Sequence, residues 1–116
     1  MPYAYVMSPY SHEDPEVEEA RYEAVLRWCA KHPTKMMGTQ RCQTLSPIVY
    51  GRQFHVRGLT GGSNFAWLEW NGALMTGAHG FILLELEGWE KSLGCNYEMG
   101  FAAASGKLLL RIRDFV

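Results

Sequence analysis

An α/β domain built on a mostly parallel sheet of roughly four to five strands is the fold class this sequence predicts. Three observations predict it. Short apolar runs alternate along the chain with longer amphipathic stretches, the order expected of strands joined through helices. The run Phe81 to Leu86 is nearly all apolar, as in a strand buried on both faces of a parallel sheet. The length, 116 residues with 47% hydrophobic and 20% charged content, suits one core and is too short for two, so residues 1–116 read as a single domain.

The elements follow in order. Tyr3 to Met7 is a short run of strand formers, ended by Ser8-Pro9-Tyr10-Ser11. Asp14-Pro15 then supplies a helix start, an Asp cap followed by Pro at the first helical position. Val17, Ala20, Ala24, Val25, Trp28 and Cys29 recur at helical spacing and predict a core-facing stripe, while Glu16, Glu19, Glu23 and Arg27 form the wet face. His32-Pro33 ends this helix. Lys35 to Gly38 reads as a turn, and Cys42 to Ile48 as a second strand with Pro47 near its end. Tyr50 to Ser63, with several Gly and with Arg52, His55 and Arg57, reads as a long functional loop. Phe65, Leu68, Ala73 and Met75 place a second helix over Asn64 to Thr76, weakened by Gly72. After the strand Phe81 to Leu86, a third helix is expected over Asn96 to Ser105, closed by Gly106, and a last strand over Lys107 to Ile112.

Charge and composition exclude several classes of function. A formal net charge of −1 argues against binding polymeric nucleic acid, though not against a single nucleotide. No apolar run approaches the roughly 20 residues of a membrane helix, and no charged-then-apolar leader opens the chain, so no membrane partner and a cytoplasmic location are expected. Cys29, Cys42 and Cys95 are scattered, without a C-x-x-C pair, and read as reduced thiols. His12, His32, His55 and His79 make no metal signature, so neither a metal nor another cofactor is expected.

The most informative stretch is Gly88 to Gly100, where a buried strand leads through a turn into a helix with Glu98 in its first turn. Ligands of open α/β sheets collect at the carboxyl ends of the strands, and a helix N-terminus there favours an anion. Ser8, Tyr10 and Ser11 follow the first strand at the same end and are candidate binding residues.

Taken together, Tyr5-Val6-Met7-Ser8-Pro9-Tyr10-Ser11, Ser46-Pro47-Ile48 and the stretch from Trp67 to Leu110 resemble the nucleoside 2-deoxyribosyltransferase superfamily. The most specific part, Ser92-Leu93-Gly94-Cys95-Asn96-Tyr97-Glu98-Met99-Gly100, is similar to the segment carrying the catalytic Glu in its 2′-deoxynucleoside 5′-monophosphate N-glycosidases. The resemblance implies a Rossmann-like (flavodoxin-like) three-layer sandwich and cleavage of the bond between a base and C1′ of the sugar. By that likeness Glu98 is the nucleophile, forming a glycosyl-enzyme intermediate that water or a second base resolves. Tyr5 hydrogen-bonds near it, and Ser92 with the N–H groups of the following turn, Gly94 included, holds a 5′-phosphate. Asn71 stands where the family has an Asp that points at sugar and base, and an amide cannot serve as a general acid or base. Glu69, two residues earlier, lies about 200° around the helix and faces away. Trp89 is a candidate to stack on the base, ahead of Trp67 and Trp70. The expected ligand is a small nucleotide or nucleoside, and the expected assembly a homodimer or larger homo-oligomer, because family sites are completed across subunits. The alternative is a nucleotide-binding protein on the same fold without turnover, motivated by Asn71.

Overall fold

A computed structural model describes residues 1–56 and 64–114, with side chains described outside 53–56 and 64–68. Its five strands are β1 (Tyr3–Met7), β2 (Thr34–Met37), β3 (Gln40–Leu45), β4 (Gly80–Leu84) and β5 (Leu108–Ile112). The α-helices are α1 (Pro15–Lys31), α2 (Pro47–Val56), α3 (Asn64–Gly77) and α4 (Leu93–Ser105), and a short 3₁₀ turn, Trp89–Lys91, precedes α4.

The strands form one mixed sheet in the order β2-β3-β1-β4-β5. β1 pairs in parallel with β3 on one side and β4 on the other, and β4 pairs in parallel with β5. β2 joins antiparallel to β3. That edge hairpin is where the sheet departs from the sequence reading, which placed only a turn at Lys35 to Gly38. Met37 pairs with Gln40, so the connection is the two-residue loop Gly38-Thr39. Gly38 holds φ at 65°, a conformation that costs glycine little.

Side chains alternate across the pleat and divide the core in two. Ala4, Val6, Ile82 and Leu84 face one way and pack with Val25 and Trp28 of α1, with Met37 and Cys42, and with Val49 of α2. Tyr5, Met7, Phe81 and Leu83 face the other way against Met75 and Leu74 of α3 and Cys95, Met99 and Ala102 of α4. Every residue of β4 is buried, as its continuous apolar run predicts. Helix α1 starts where Asp14-Pro15 predicts, with the Asp14 carboxylate accepting from the Glu16 N–H, and His32 is its C-cap.

The central strand ends at Leu84 rather than Leu86, and three larger differences from the sequence reading bear on the site. The second strand ends at Leu45, and Pro47-Ile48 opens α2 instead. The cause is a repeat of the Asp14-Pro15 signal: the Ser46 hydroxyl accepts from the Val49 N–H while Pro47 occupies the first helical position. Much of the loop expected over Tyr50 to Ser63 is therefore helix, and its remainder, residues 57–63, lies outside the described residues. The last helix begins at Leu93, capped by Ser92, three residues before Asn96. Glu98 is thus in its second turn rather than its first.

Candidate functional site

β1 and β4 lie side by side in the centre of the sheet, yet the chain leaves them toward opposite faces. From β1 it passes to α1, which covers the Val6 face; from β4 it passes to α4, which covers the Tyr5 face. At such a switch point an open α/β sheet forms its ligand crevice, at the carboxyl ends of the two strands.

Tyr5 and Glu98 meet beside this crevice. Tyr5 is wholly buried on β1, and its hydroxyl donates a hydrogen bond to Oε2 of Glu98, 93 residues away in sequence. Glu98 is half-buried on α4. Loss of water pushes its carboxyl up to about 7, and the Tyr5 hydrogen bond pulls in the opposite direction without prevailing. Burial first, and then the charge and hydrogen bond of Glu98, push the Tyr5 phenol far above its ordinary range, so it remains a donor. Cys95, one turn earlier on α4, is buried, and desolvation pushes its thiol up to about 11. At neutral pH it is an unreactive thiol. The arrangement presents one carboxylate that titrates near neutrality, oriented by a phenol that does not ionise.

Two buried polar atoms of the candidate residues have no hydrogen-bond partner among the described residues. The Tyr3 hydroxyl donates to the Leu74 carbonyl at 2.7 Å, which registers α3 against β1. Because α3 returns directly into β4, which runs parallel to β1, lower numbers in α3 lie toward the carboxyl end of the sheet. Asn71 is three residues back from Leu74, about 4.5 Å along the helix axis. Tyr5 is two residues on from Tyr3, about 6.6 Å along the strand. Asn71 therefore stands near the level of Tyr5, and its buried Oδ1 has no hydrogen-bond partner among the described residues. Glu69 is exposed, as its angular offset predicts. Ser8, directly after β1, is 4% exposed, and its Oγ is likewise buried without a partner. An orphaned buried polar atom costs about 1–3 kcal/mol, which a ligand offering the complementary group would offset.

The start of α4 supplies donors. The Ser92 hydroxyl accepts from the Cys95 N–H at 3.2 Å, and the Ser92 carbonyl takes the Asn96 N–H. The N–H groups of Leu93 and Gly94 find no partner among the described residues, and both residues are exposed. Ser92 is thus a helix cap. Trp89 is half-buried against the Tyr5-face core, and the Arg111 guanidinium lies 5.2 Å from its ring centre, facing it. Tyr10 is half-buried and Ser11 exposed, both in the connection after β1. Trp70 stacks on Tyr50 at 5.0 Å, while the side chains of Trp67 and His55, and Arg57 as a whole, lie outside the described residues.

Two arginines lie at this end of the molecule, and of these sequence reasoning missed Arg21. Arg52, expected on a loop, is on α2, ion-paired to Glu19 and set 4.5 Å from the Tyr22 ring centre and 5.8 Å from that of Tyr10. Arg21 reaches from α1 to backbone carbonyls on both sides of the crevice. Neither position carries a local motif; both are consequences of packing. Among the described residues no group of three or more His, Cys, Asp or Glu could hold a metal ion, and no helix is long and apolar enough to cross a membrane.

The fold is of the α/β class, a mixed five-stranded sheet with helices on both faces. The chain belongs to the family described as a domain of unknown function, DUF1937, which it matches over residues 2–112. No curated protein matches it.

Proposed function

We propose that the protein is an N-glycosidase acting on a (deoxy)nucleoside 5′-monophosphate, with transfer of the sugar to a second base as a variant of the same chemistry. The observation that carries this reading is the Tyr5–Glu98 hydrogen bond beside the crevice between β1 and β4. Retaining cleavage of a glycosidic bond needs a carboxylate aimed at the anomeric carbon and held at one angle. Glu98 is that carboxylate, and Tyr5 fixes its orientation. In the first step Glu98 forms a bond to C1′ as the bond to the base breaks, and the electron pair leaves with the base. Water then displaces Glu98 at C1′ and restores its carboxylate, and the proton lost by the water balances the one the departed base takes up.

The remaining roles follow from the surroundings. Asn71 offers a hydrogen-bonding amide at the level of the reacting pair, and Ser8 a hydroxyl. The Leu93 and Gly94 N–H groups, with the Ser92 hydroxyl as a further donor, suit the 5′-phosphate. Tyr10, Ser11 and Trp89 border the same end of the sheet. The parallel run β3-β1-β4-β5, with helices on both faces, supports reading the architecture as a Rossmann-like, flavodoxin-like sandwich. A homodimer or larger homo-oligomer belongs to the same proposal. Asn71 supports a second reading, a nucleotide-binding protein without turnover, since it can supply no proton to a departing base.

The test is chromatographic detection of free base from a panel of ribo- and deoxyribonucleoside monophosphates, with Glu98→Ala beside the wild type. Release by the wild type, falling at least about a thousandfold in the variant, is the expected result. Nucleotide binding with no release by folded wild type would overturn hydrolysis and leave the binding reading.

A further inference from the structure

We propose that Arg21 is the positioning residue of the crevice, a clasp that ties the connection after β1 to the connection after β4 and so sets the distance between the two walls of the site. In its functional part this rests on the nucleotide-cleaving reading above. Its structural part does not.

The guanidinium of Arg21, half-buried on α1, spends its donors on backbone. Nη1 donates to the Ser11 carbonyl at 2.9 Å and, more weakly, to the Tyr10 carbonyl at 3.5 Å. Nη2 donates to the Glu87 carbonyl at 3.2 Å. Tyr10 and Ser11 belong to one wall of the crevice and Glu87, 66 residues from Arg21 in sequence, to the other, so a single planar group bridges the two. No carboxylate forms an ion pair with Arg21 among the described residues. Its hydrogen bonds are therefore charge-assisted without a competing acid, and stronger than neutral ones.

Gly88 completes the device. It holds φ at 86°, and a Cβ at this position would lie 2.7 Å from Arg21 Nη2. The residue after the clasped Glu87 carbonyl is thus glycine for two reasons, backbone conformation and room for the guanidinium. The clasp also sits close enough to the start of α4 for its charge to favour the ionised form of the Cys95 thiol, against the larger effect of burial. The segments it joins lead directly to the proposed ligand groups, Ser8 on one side and Ser92 to Glu98 on the other.

A lysine cannot replace this fork, because one ammonium does not present fixed coplanar donors to two separate loops. The first measurement is backbone amide NMR relaxation dispersion, without nucleotide, in wild type, Arg21→Gln and Arg21→Lys. Conformational exchange is expected to rise in both residues 10–12 and residues 87–89, with β1 and β4 unchanged. Gly88→Ala should loosen the same two segments, and it carries the test if Arg21→Gln does not fold. A rise in only one segment, or in neither, overturns the clasp whether or not the protein cleaves nucleotides.

The second measurement is base release by the same variants. Loosened walls weaken nucleotide binding before and during reaction alike, so KM should rise about tenfold with kcat within about threefold of wild type. A fall in kcat at unchanged KM would mark simple loss of folded protein and overturn the positioning role. An absence of base release by the wild type counts against the nucleotide-cleaving reading alone, because the exchange data still decide the clasp.

Discussion

The chemistry of the site turns on one carboxyl group whose environment pulls it two ways. Burial raises Glu98 toward protonation, and the Tyr5 hydroxyl, donating to Oε2, favours the ionised form. A carboxyl lifted to about 7 is protonated on the acid side and becomes a nucleophile only as the pH rises through that value. Base release should therefore climb with pH through about 7 in a kcat/KM profile, which reports the free enzyme, with an ascending limb of one proton. Tyr5→Phe removes the group that lowers Glu98, so the ascending limb should move to higher pH and the plateau should fall. A limb that stays in place in Tyr5→Phe would show that some group other than Glu98 governs it. Glu98, Tyr5 and a hydrogen bond near the pair were all implied in the sequence by the family resemblance. Nothing local in the chain connects the two, because they stand 93 residues apart.

At the scale of elements, the chain declares its helix starts through capping chemistry, and the two clearest caps differ in what they hold. Asp14 caps α1 at the exposed surface, accepting from the Glu16 N–H at 2.9 Å. Ser92 caps α4 beside the candidate phosphate position, accepting from the Cys95 N–H. Asp14→Ala should cost about 1 kcal/mol of stability and leave base release unchanged. Ser92→Ala should cost a similar amount, about 1 kcal/mol, and in addition raise KM for monophosphates relative to the corresponding nucleosides. Denaturant melts and a KM comparison separate the two, and equal effects of Ser92→Ala on both substrate types would remove Ser92 from phosphate recognition. The same chemistry explains the misread element. Ser46-Pro47 carries the serine form of the Asp14-Pro15 signal, but Pro47 follows a strand-like run, which by its composition extends to Ile48. Glu98 moved from the first turn of its helix to the second for a related reason: Ser92, not a residue nearer Asn96, is the cap.

For the whole molecule, the central pair β1 and β4 carries both halves of the core. Phe81 is fully buried on the Tyr5 face, with its ring centre 6.0 Å from that of Tyr5 and 6.3 Å from that of Phe101. Phe81→Ala should cost about 3–5 kcal/mol in equilibrium unfolding. Because the ring packs against Tyr5, the substitution should also reduce base release in protein that remains folded. Undiminished activity in such protein would show that Tyr5 is held by its hydrogen bond alone. The opposite edges are less committed: Leu108 and Leu109 on β5 and Met36 on β2 are exposed apolar residues.

The sequence by itself determined the alternation of strands and helices, the doubly buried strand at Phe81, the start and stop of α1, and the residues from Ser92 to Gly100 that surround Glu98. These are local or periodic properties, written in spacing, caps and apolar runs. Tertiary structure alone decided that β2 and β3 form an antiparallel edge, that Ser8 and Asn71 carry polar atoms with no partner among the described residues, and that Arg21 bridges the connections after β1 and β4. Each of these depends on which segments the sheet order β2-β3-β1-β4-β5 brings side by side. Pairing across such sequence separations is fixed by packing the whole core at once, and no short stretch of the chain contains it.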